Sequence, residues 1–236
     1  MLEIHAFYIQ SQMEQNLYEY LLQFVSNEKK LKIAKYKNKL DSYLTLIGEI
    51  MIRLHICKIH EIDNNRIVFQ YNKYGKPRVE LESPYFFNIS HSGNWVVVAY
   101  NNSEVGIDIE KIKNLDTELA KNYFTTMEYE HLCSLGSKAA QINCFYDLWT
   151  LKESYIKFRG RGLSIPLNSF SIIKYSNSKF FFQLENENSC LEEFYFQQYN
   201  LDDNYSFSVC SSDNYFPKEV NVLNSQDLLR LSADLF

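Results

Sequence analysis

The feature that most constrains the fold of this chain is the order of its periodic segments: helices, strands, helices, strands. In the first third, Ser26 and Asp41 are predicted N-caps of two helices, the second of which ends near His60. Strand patterns follow at 66–71, 85–89, 95–100 and 105–110, helical ones at 116–135 and 141–158, further strands at 169–174, 179–185, 194–199 and 205–211, and a short helix at 226–234. The repeated order predicts an α+β protein of two similar halves, residues 1–103 and 104–236.

Charge and composition argue against several classes of function. The formal net charge is −5 and the pI is near 5.6, so we expect no nucleic-acid partner, since nucleic-acid binding needs a basic face. The apolar runs are only as long as strands, and the first residues lack the pattern of a signal peptide, so we expect no membrane association. The five cysteines have no metal-ligand spacing and favour a reduced, cytoplasmic protein: Cys57, Cys133, Cys144, Cys190 and Cys210.

An acidic pair lies in the strand-like segment Gly106-Ile107-Asp108-Ile109-Glu110. Alternate side chains of a strand share a face, so Asp108 and Glu110 project together, about 7 Å apart. Two neighbouring carboxylates repel, and Mg²⁺, which prefers a few carboxylates completed by water and phosphate oxygens, would relieve that repulsion. The alternative is an ordinary solvated strand face.

A second candidate is the helical segment 149–157, in which Trp149, Glu153 and Lys157 share one stripe at i, i+4 and i+8. Glu153 would serve as a third metal ligand, and Lys157, one turn further on, would meet a phosphate. The alternative is a surface Glu–Lys pair beside a core tryptophan.

Two polar segments complete the candidates. Residues 88–92, Asn-Ile-Ser-His-Ser, offer a hydroxyl, an imidazole and turn amides that could bind an anion, although such a histidine is more often an ordinary turn residue. A basic run is either a solvated surface or a site for a highly charged phosphate ligand: Lys29, Lys30, Lys32, Lys35, Lys37 and Lys39.

In this order, the segments resemble the surfactin-synthetase-activating (Sfp-type) 4′-phosphopantetheinyl transferases. The resemblance rests on the Gly-x-Asp-x-Glu strand at 106–110 and the Trp-x-x-Lys-Glu-Ser-x-x-Lys helix at 149–157. Further matches are the segments 88–92, Tyr74-Gly75-Lys76-Pro77 and Gly162-Leu163-Ser164. It implies two similar α+β subdomains related by a pseudo-two-fold, with the active site at their junction.

The resemblance also implies an activity and roles for individual residues. The enzyme would move 4′-phosphopantetheine from coenzyme A to a serine of an acyl, peptidyl or aryl carrier protein, releasing adenosine 3′,5′-bisphosphate. Mg²⁺ would be bound by Asp108, Glu110 and Glu153, and Glu153 would also be the general base. The remaining implied contacts are with coenzyme A: His91 and Lys157 at the pyrophosphate with help from Lys152, Lys29 and Lys32 at the 3′-phosphate, and Lys76 and Ser90 at the nucleotide.

One position departs from the family pattern, and one region remains open to two interpretations. Relatives often carry an arginine where this chain has Leu44, so the 3′-phosphate would depend on the lysines of the basic run. The family usually contacts carrier proteins after the metal strand, where the residues with helical spacing are either docking surface or core: Leu115, Leu119, Tyr123 and Phe124.

Two other functions compete with the transferase. The first is an inactive relative that only docks carrier proteins, and the second is a Mg²⁺-dependent hydrolase of coenzyme A. The complete set of three acids and Lys157 favours the transferase over both. Two halves within one chain are compatible with a monomer, and the sequence does not identify the carrier protein or pathway.

Overall fold

The computed structural model describes residues 1–10, 15–176, 179–184 and 193–236. The strands are β1 (Glu3–Tyr8), β2 (Phe69–Tyr71), β3 (Pro77–Val79), β4 (Phe86–Ser92), β5 (Trp95–Asn101), β6 (Val105–Lys111), β7 (Phe170–Ser176), β8 (Lys179–Leu184), β9 (Tyr195–Gln198), β10 (Tyr205–Ser211) and β11 (Asn221–Leu223). The α-helices are α1 (Gln15–Leu22), α2 (Asn27–Ile33), α3 (Lys39–His60), α4 (Ala120–Tyr123), α5 (Thr126–Ser134), α6 (Lys138–Arg159) and α7 (Ser225–Leu235). The predicted α+β class is confirmed.

Each half combines one 22-residue helix with a sheet. In the first half, α3 packs on a four-stranded sheet of order β11-β1-β5-β4, in which the β4–β5 hairpin is antiparallel. In the second half, α6 packs on the antiparallel sheet β6-β10-β9. The hairpins β2–β3 and β7–β8 stand beside these sheets.

Strand β5 links the core of the first half to a core that both halves share. All seven of its residues are buried, because alternate side chains point to opposite faces. Val96, Val98 and Tyr100 pack in the α3 core. Trp95 and Val97 pack instead with apolar side chains of β6 and β10. The two halves are therefore joined through one continuous apolar layer.

The end of the chain returns to the first half. Strand β11 pairs in parallel with β1, and Leu228 of α7 is buried in the α3 core. Residues 221–235 therefore pack with the first half, although the sequence division at residue 103 assigned them to the second. Pairing between chain ends leaves no local periodic signal, which is why the pattern of short segments did not reveal it.

Several element boundaries differ from the sequence predictions for local reasons. Asn38, and not Asp41, caps α3 through its side chain. Thr125 forms a capping box with Glu128 and splits the helix predicted at 116–135. Strand β1 was not predicted at all. Ser26 caps α2, as predicted, and Gly160 ends α6 in the left-handed conformation.

Candidate active site at the junction of the halves

Gly106 allows helix α6 to lie directly on strand β6. A Cβ atom at this position would stand 2.0 Å from the carbonyl oxygen of Ser154 and 2.3 Å from the amide nitrogen of Phe158. Only glycine permits this approach of two backbones. The contact brings Glu153 and Lys157 of α6 beside the acidic residues of β6.

Asp108 lies at the centre of this junction and is almost completely buried. Its Oδ1 accepts hydrogen bonds from Lys157 Nζ at 2.6 Å and Ser90 Oγ at 2.8 Å. Its Oδ2 is also buried but has no hydrogen-bond partner. A buried carboxylate oxygen without a partner is costly, and it is the kind of ligand that a hard cation takes.

Strand β4 approaches β6 through side chains instead of a backbone ladder. Asn88, Ser90 and Ser92 lie at alternate positions, and their side-chain oxygens accept hydrogen bonds from the amides of Ile107, Ile109 and Lys111 at 2.9, 3.4 and 3.0 Å. Ser92 also donates to Glu110 Oε2 at 2.7 Å. The three polar side chains thus connect the halves, and Ser90 and Ser92 also orient Asp108 and Glu110.

The structure also corrects the prediction for residues 90–92. The sequence placed them in a hairpin turn, but they extend β4, and the turn consists of Gly93 and Asn94. The Ser90 hydroxyl accepts hydrogen bonds from the amide of Ile109 and from Lys157 Nζ, the latter at 2.9 Å, and donates one to Asp108. Ser90 therefore holds Asp108 and Lys157 in place through its hydroxyl group.

Burial and the neighbouring charge of Asp108 raise the pKa values of Glu110 and Glu153. Burial, and then the charge of Asp108, raises the pKa of Glu153. Burial also raises the pKa of Glu110, while the hydrogen bond from Ser92 opposes the rise. Over the described ranges, no group of three or more His, Cys, Asp or Glu side chains is already arranged to hold a metal ion. The surplus negative charge and the unpartnered Asp108 Oδ2 are the features that fit a cation.

His91 lies on the face of β4 opposite to Ser90, as strand alternation requires. Loss of hydration, followed by the charge of Lys157, lowers the pKa of His91, whereas Asp41 and Asp108 oppose that shift. Part of the residue remains open to solvent, while the imidazole lies among these charged groups. The lowered pKa favours the neutral ring, which can still donate one N–H hydrogen bond to an anion.

The basic run divides into paired and open lysines. Lys29 Nζ forms a salt bridge of 2.9 Å with Glu49, which also binds Arg53 at 2.9 Å. Lys32 lines the same cavity of about 260 Å³ and is exposed. Leu44 is buried in the core of the first half.

Lys152 does not face the junction. It is fully buried and forms a salt bridge of 2.8 Å with Glu128. Its ammonium also donates to the carbonyl of Leu167 at 2.8 Å and to that of Phe170. The expected contact between Lys152 and coenzyme A is therefore wrong: the helix turns this side chain into the interior while its neighbour Glu153 faces the junction. Glu128 was missed because its partner lies far away in sequence.

Lys76 lies at the edge of the junction, and its ammonium group donates hydrogen bonds to three protein groups. It bonds Glu104 Oε2 at 2.8 Å and the carbonyls of Val105 and Phe158 at 3.3 and 3.2 Å. These contacts connect the β2–β3 turn to β6 and α6. Direct contact with a nucleotide, as expected from the resemblance, would require these bonds to break.

The open question about the segment after β6 is resolved by burial. Leu119 and Tyr123 are exposed, with 48% and 41% of their surface accessible. Phe124 is buried in a small core with Phe145, and Leu115 packs against that core. Only the first two are available as a docking surface.

Comparison with known proteins agrees with this architecture and gives the family. The model of the 4′-phosphopantetheinyl transferase superfamily matches residues 104–210, and the 4′-phosphopantetheinyl transferase N-terminal model matches residues 11–103. The chain belongs to the 4′-phosphopantetheinyl transferase superfamily and is a transferase.

Two relatives identified by sequence support the assignment, one of them over nearly the whole chain. The chain is 35% identical to the 4′-phosphopantetheinyl transferase Sfp of Bacillus subtilis, over 97% of this chain and 100% of that protein. It is 41% identical to the 4′-phosphopantetheinyl transferase gsp of Aneurinibacillus migulanus, over 74% and 72%. The holo-[acyl-carrier-protein] synthase of Thermotoga maritima matches structurally over 46% of this chain and 62% of that chain, at a TM-score of 0.38 and 15% identity.

Two further structural observations concern the hydropathy of the helices and the state of the cysteines. None of the helices in the described ranges is long and apolar enough to cross a bilayer. Four cysteines are free thiols, Cys57, Cys133, Cys144 and Cys210, whereas Cys190 lies outside the described residues.

Proposed function

We propose that this transferase moves the 4′-phosphopantetheine group from coenzyme A to a serine of a carrier protein. The observation that carries the proposal is the buried, unpartnered Oδ2 of Asp108 beside two further carboxylates and Lys157. Asp108, Glu110 and Glu153 would hold Mg²⁺, which supplies positive charge against the pyrophosphate when it is bound. A site with this charge balance suits phosphoryl transfer, in which positioning and electrostatics dominate catalysis.

The side chains of the junction have separate tasks in this reaction. Glu153 takes the proton from the serine hydroxyl, directly or through a water molecule. The serine oxygen forms a bond to the phosphorus that bears the pantetheine arm. The bond from that phosphorus to the bridging oxygen breaks, and adenosine 3′,5′-bisphosphate leaves. Lys157 and His91 bind the pyrophosphate oxygens on which negative charge accumulates.

The 3′-phosphate and the carrier protein would bind at the periphery. Lys32, with Lys29 beside it, is the candidate for the 3′-phosphate because both line one cavity. Leu119 and Tyr123 form an exposed apolar pair after β6 that would contact the carrier.

We also propose that the protein works as a monomer in the cytoplasm. One chain supplies both the strand and the helix of the site, so a second chain is not needed to complete it. Light scattering after gel filtration measures the mass of the particle in solution.

The decisive experiment measures the mass of an apo carrier protein after incubation with enzyme, coenzyme A and Mg²⁺. We expect a gain of one phosphopantetheine arm, which is lost with EDTA and in Glu153→Ala. The matched control is Glu82→Ala, which removes an exposed glutamate before β4 and should leave the gain intact.

The competing functions predict different products. A protein that only docks would bind the carrier without changing its mass. A hydrolase would release adenosine 3′,5′-bisphosphate when no carrier is present. Absence of mass gain on fatty-acid, peptidyl and polyketide carriers with folded enzyme would contradict the transferase proposal.

A further inference from the structure

The turn between β2 and β3, residues 72–76, connects the first half to the helix that carries Glu153 and Lys157; we call it the strap. Asn72 uses both ends of its side chain. Its Oδ1 accepts hydrogen bonds from the amides of Tyr74 and Lys76, each at 2.9 Å. Its Nδ2 donates to the carbonyl of Gly160 at 2.8 Å. One side chain thus shapes the turn and attaches it to the end of α6.

The second attachment of the strap is Lys76. Its ammonium bonds the carbonyl of Phe158 in the last turn of α6 and that of Val105 at the first residue of β6. A salt bridge to Glu104 adds a third contact. The strap therefore holds the end of the catalytic helix and the start of the metal strand in fixed relation.

The strap packs directly against Gly160, at the end of α6. Its φ of 62° lies in the left-handed region, which disfavours a side chain. A Cβ atom there would stand 3.0 Å from Lys76 Cδ and 3.4 Å from Asn72 Nδ2. The close approach leaves little freedom for the strap to shift along the helix end.

We propose that Asn72 is a positioning residue for the transfer reaction. Through the strap it holds α6 against β6, so that Glu153 and Lys157 meet Asp108 in the geometry that transfer requires. This inference rests on the proposed function. Misplacement of catalytic groups by about 1 Å can cost about 10²-fold in rate, so a contact remote from the reacting atoms can still control turnover.

The test uses Asn72→Asp, which keeps the acceptor for the turn amides but puts a carboxylate oxygen against the Gly160 carbonyl. We expect kcat to fall roughly tenfold, which corresponds to the loss of about one hydrogen bond. The KM for the carrier protein should remain that of the wild type, and the thermal midpoint should fall by only about 2–4 °C, so that the enzyme is folded at the assay temperature. The matched control is Asn214→Asp, which makes the same chemical change at an exposed loop residue after β10.

Other outcomes separate failure of this inference from failure of the function. If the wild type transfers and Asn72→Asp has unchanged kcat and KM for coenzyme A, the inference is overturned. It is also overturned if activity falls only in proportion to the folded fraction. If the wild type transfers nothing, the proposed function fails instead.

A second variant keeps the test informative if Asn72→Asp does not fold. Lys76→Met keeps the aliphatic stem but removes the ammonium that binds Phe158 and Val105. It should lower kcat in the same way, again with an unchanged carrier KM. A wild-type kcat in Lys76→Met, even with a raised KM for coenzyme A, would overturn the inference, because Lys76 would then act at the nucleotide and not through α6.

Discussion

Helix α6 supplies the lysines of two lysine–carboxylate pairs, which differ in how completely their polar atoms are hydrogen-bonded. Lys152 and Glu128 are both excluded from solvent, with 0% and 2% of their side chains exposed. Besides Lys152, Glu128 accepts hydrogen bonds from the amides of Thr125 and Ile172. A buried ion pair is tolerated when its remaining hydrogen-bonding capacity is filled, as here.

The other pair, Lys157 and Asp108, leaves capacity unused. Lys157 is 27% exposed, and Asp108 Oδ2 has no partner although it is buried. Burial, and then the charge of Asp108, raises the pKa of the neighbouring Glu153, so the site disfavours a further negative charge unless a cation is present. The comparison teaches that filled polar capacity marks a structural pair, whereas unfilled capacity marks a place where a ligand completes the network.

The largest expected effect is on stability, from the structural pair. Lys152→Met leaves Glu128 buried without its counter-charge, which should cost about 3–5 kcal/mol in the free energy of unfolding. Urea unfolding followed by circular dichroism measures the change. The double variant Lys152→Met/Glu128→Gln should recover part of the loss, because it removes the unpaired charge. If Lys152→Met were as stable as the wild type, the division between the two pairs would be wrong.

The second effect is on catalysis, from the functional pair. Asp108→Asn keeps the shape and an acceptor for Lys157 but removes the negative charge, so transfer should fall by about 10²–10³-fold. The thermal midpoint should change much less than in Lys152→Met, since Asn relieves the repulsion with Glu110 and Glu153. The rate of mass gain of the carrier and a melting curve give both values. Near-wild-type transfer by Asp108→Asn would contradict a metal role for this residue.

How far the sequence predicts this site depends on the range of each interaction. Alternation within 105–110 and helical spacing within 149–157 are local, so Asp108, Glu110, Glu153 and Lys157 could be nominated directly. The family resemblance added that the two segments meet. The role of Gly106 becomes visible only when α6 lies on β6.

The predictions that were wrong or missing concern contacts between segments that are far apart in sequence. Adjacent residues on a helix point in different directions, so Lys152 and Glu153 separate once α6 is packed, and the partner Glu128 belongs to another helix. Strand β11 depends on pairing with β1 at the other end of the chain, whereas the local helix pattern at 226–234 was predicted and is present as α7. Such contacts between distant segments are not encoded in local periodicity.

A histidine cluster in the first half extends the comparison, because it is buried and also incompletely satisfied. His55 stacks on Tyr100 and shares a hydrogen bond with Tyr85, while its Nε2 has no hydrogen-bond partner. Burial lowers the pKa of both His5 and His55 to about 4. The charged groups that face them are Glu3, Lys58, His60 and the N-terminus.

The cluster should make stability dependent on pH. The folded pKa values lie below the unfolded value near 6.5, so the unfolded chain binds more protons below that pH. Stability is therefore full above about pH 6.5 and falls as the pH drops towards 4, by about 1.4 kcal/mol per pKa unit and histidine at most. His55→Phe should flatten this dependence in urea unfolding between pH 4 and 7, with His131→Phe, an exposed position, as control. An equally steep dependence in His55→Phe would show that other groups titrate.

The smallest effect applies the same distinction to the lysines of α2. Lys29 is 15% exposed and paired with Glu49, so Lys29→Met should mainly lower stability. Lys32 is exposed in the same cavity, so Lys32→Met should raise the KM for coenzyme A a few-fold, the loss of about one charged contact at a solvated site. The KM for 3′-dephospho-coenzyme A should stay constant, because that substrate lacks the phosphate. If Lys32→Met raised the KM for both substrates equally, Lys32 would not contact the 3′-phosphate. If instead only Lys29→Met raised the KM for coenzyme A and left that for the dephospho form unchanged, the salt bridge to Glu49 would not predict which lysine binds the ligand.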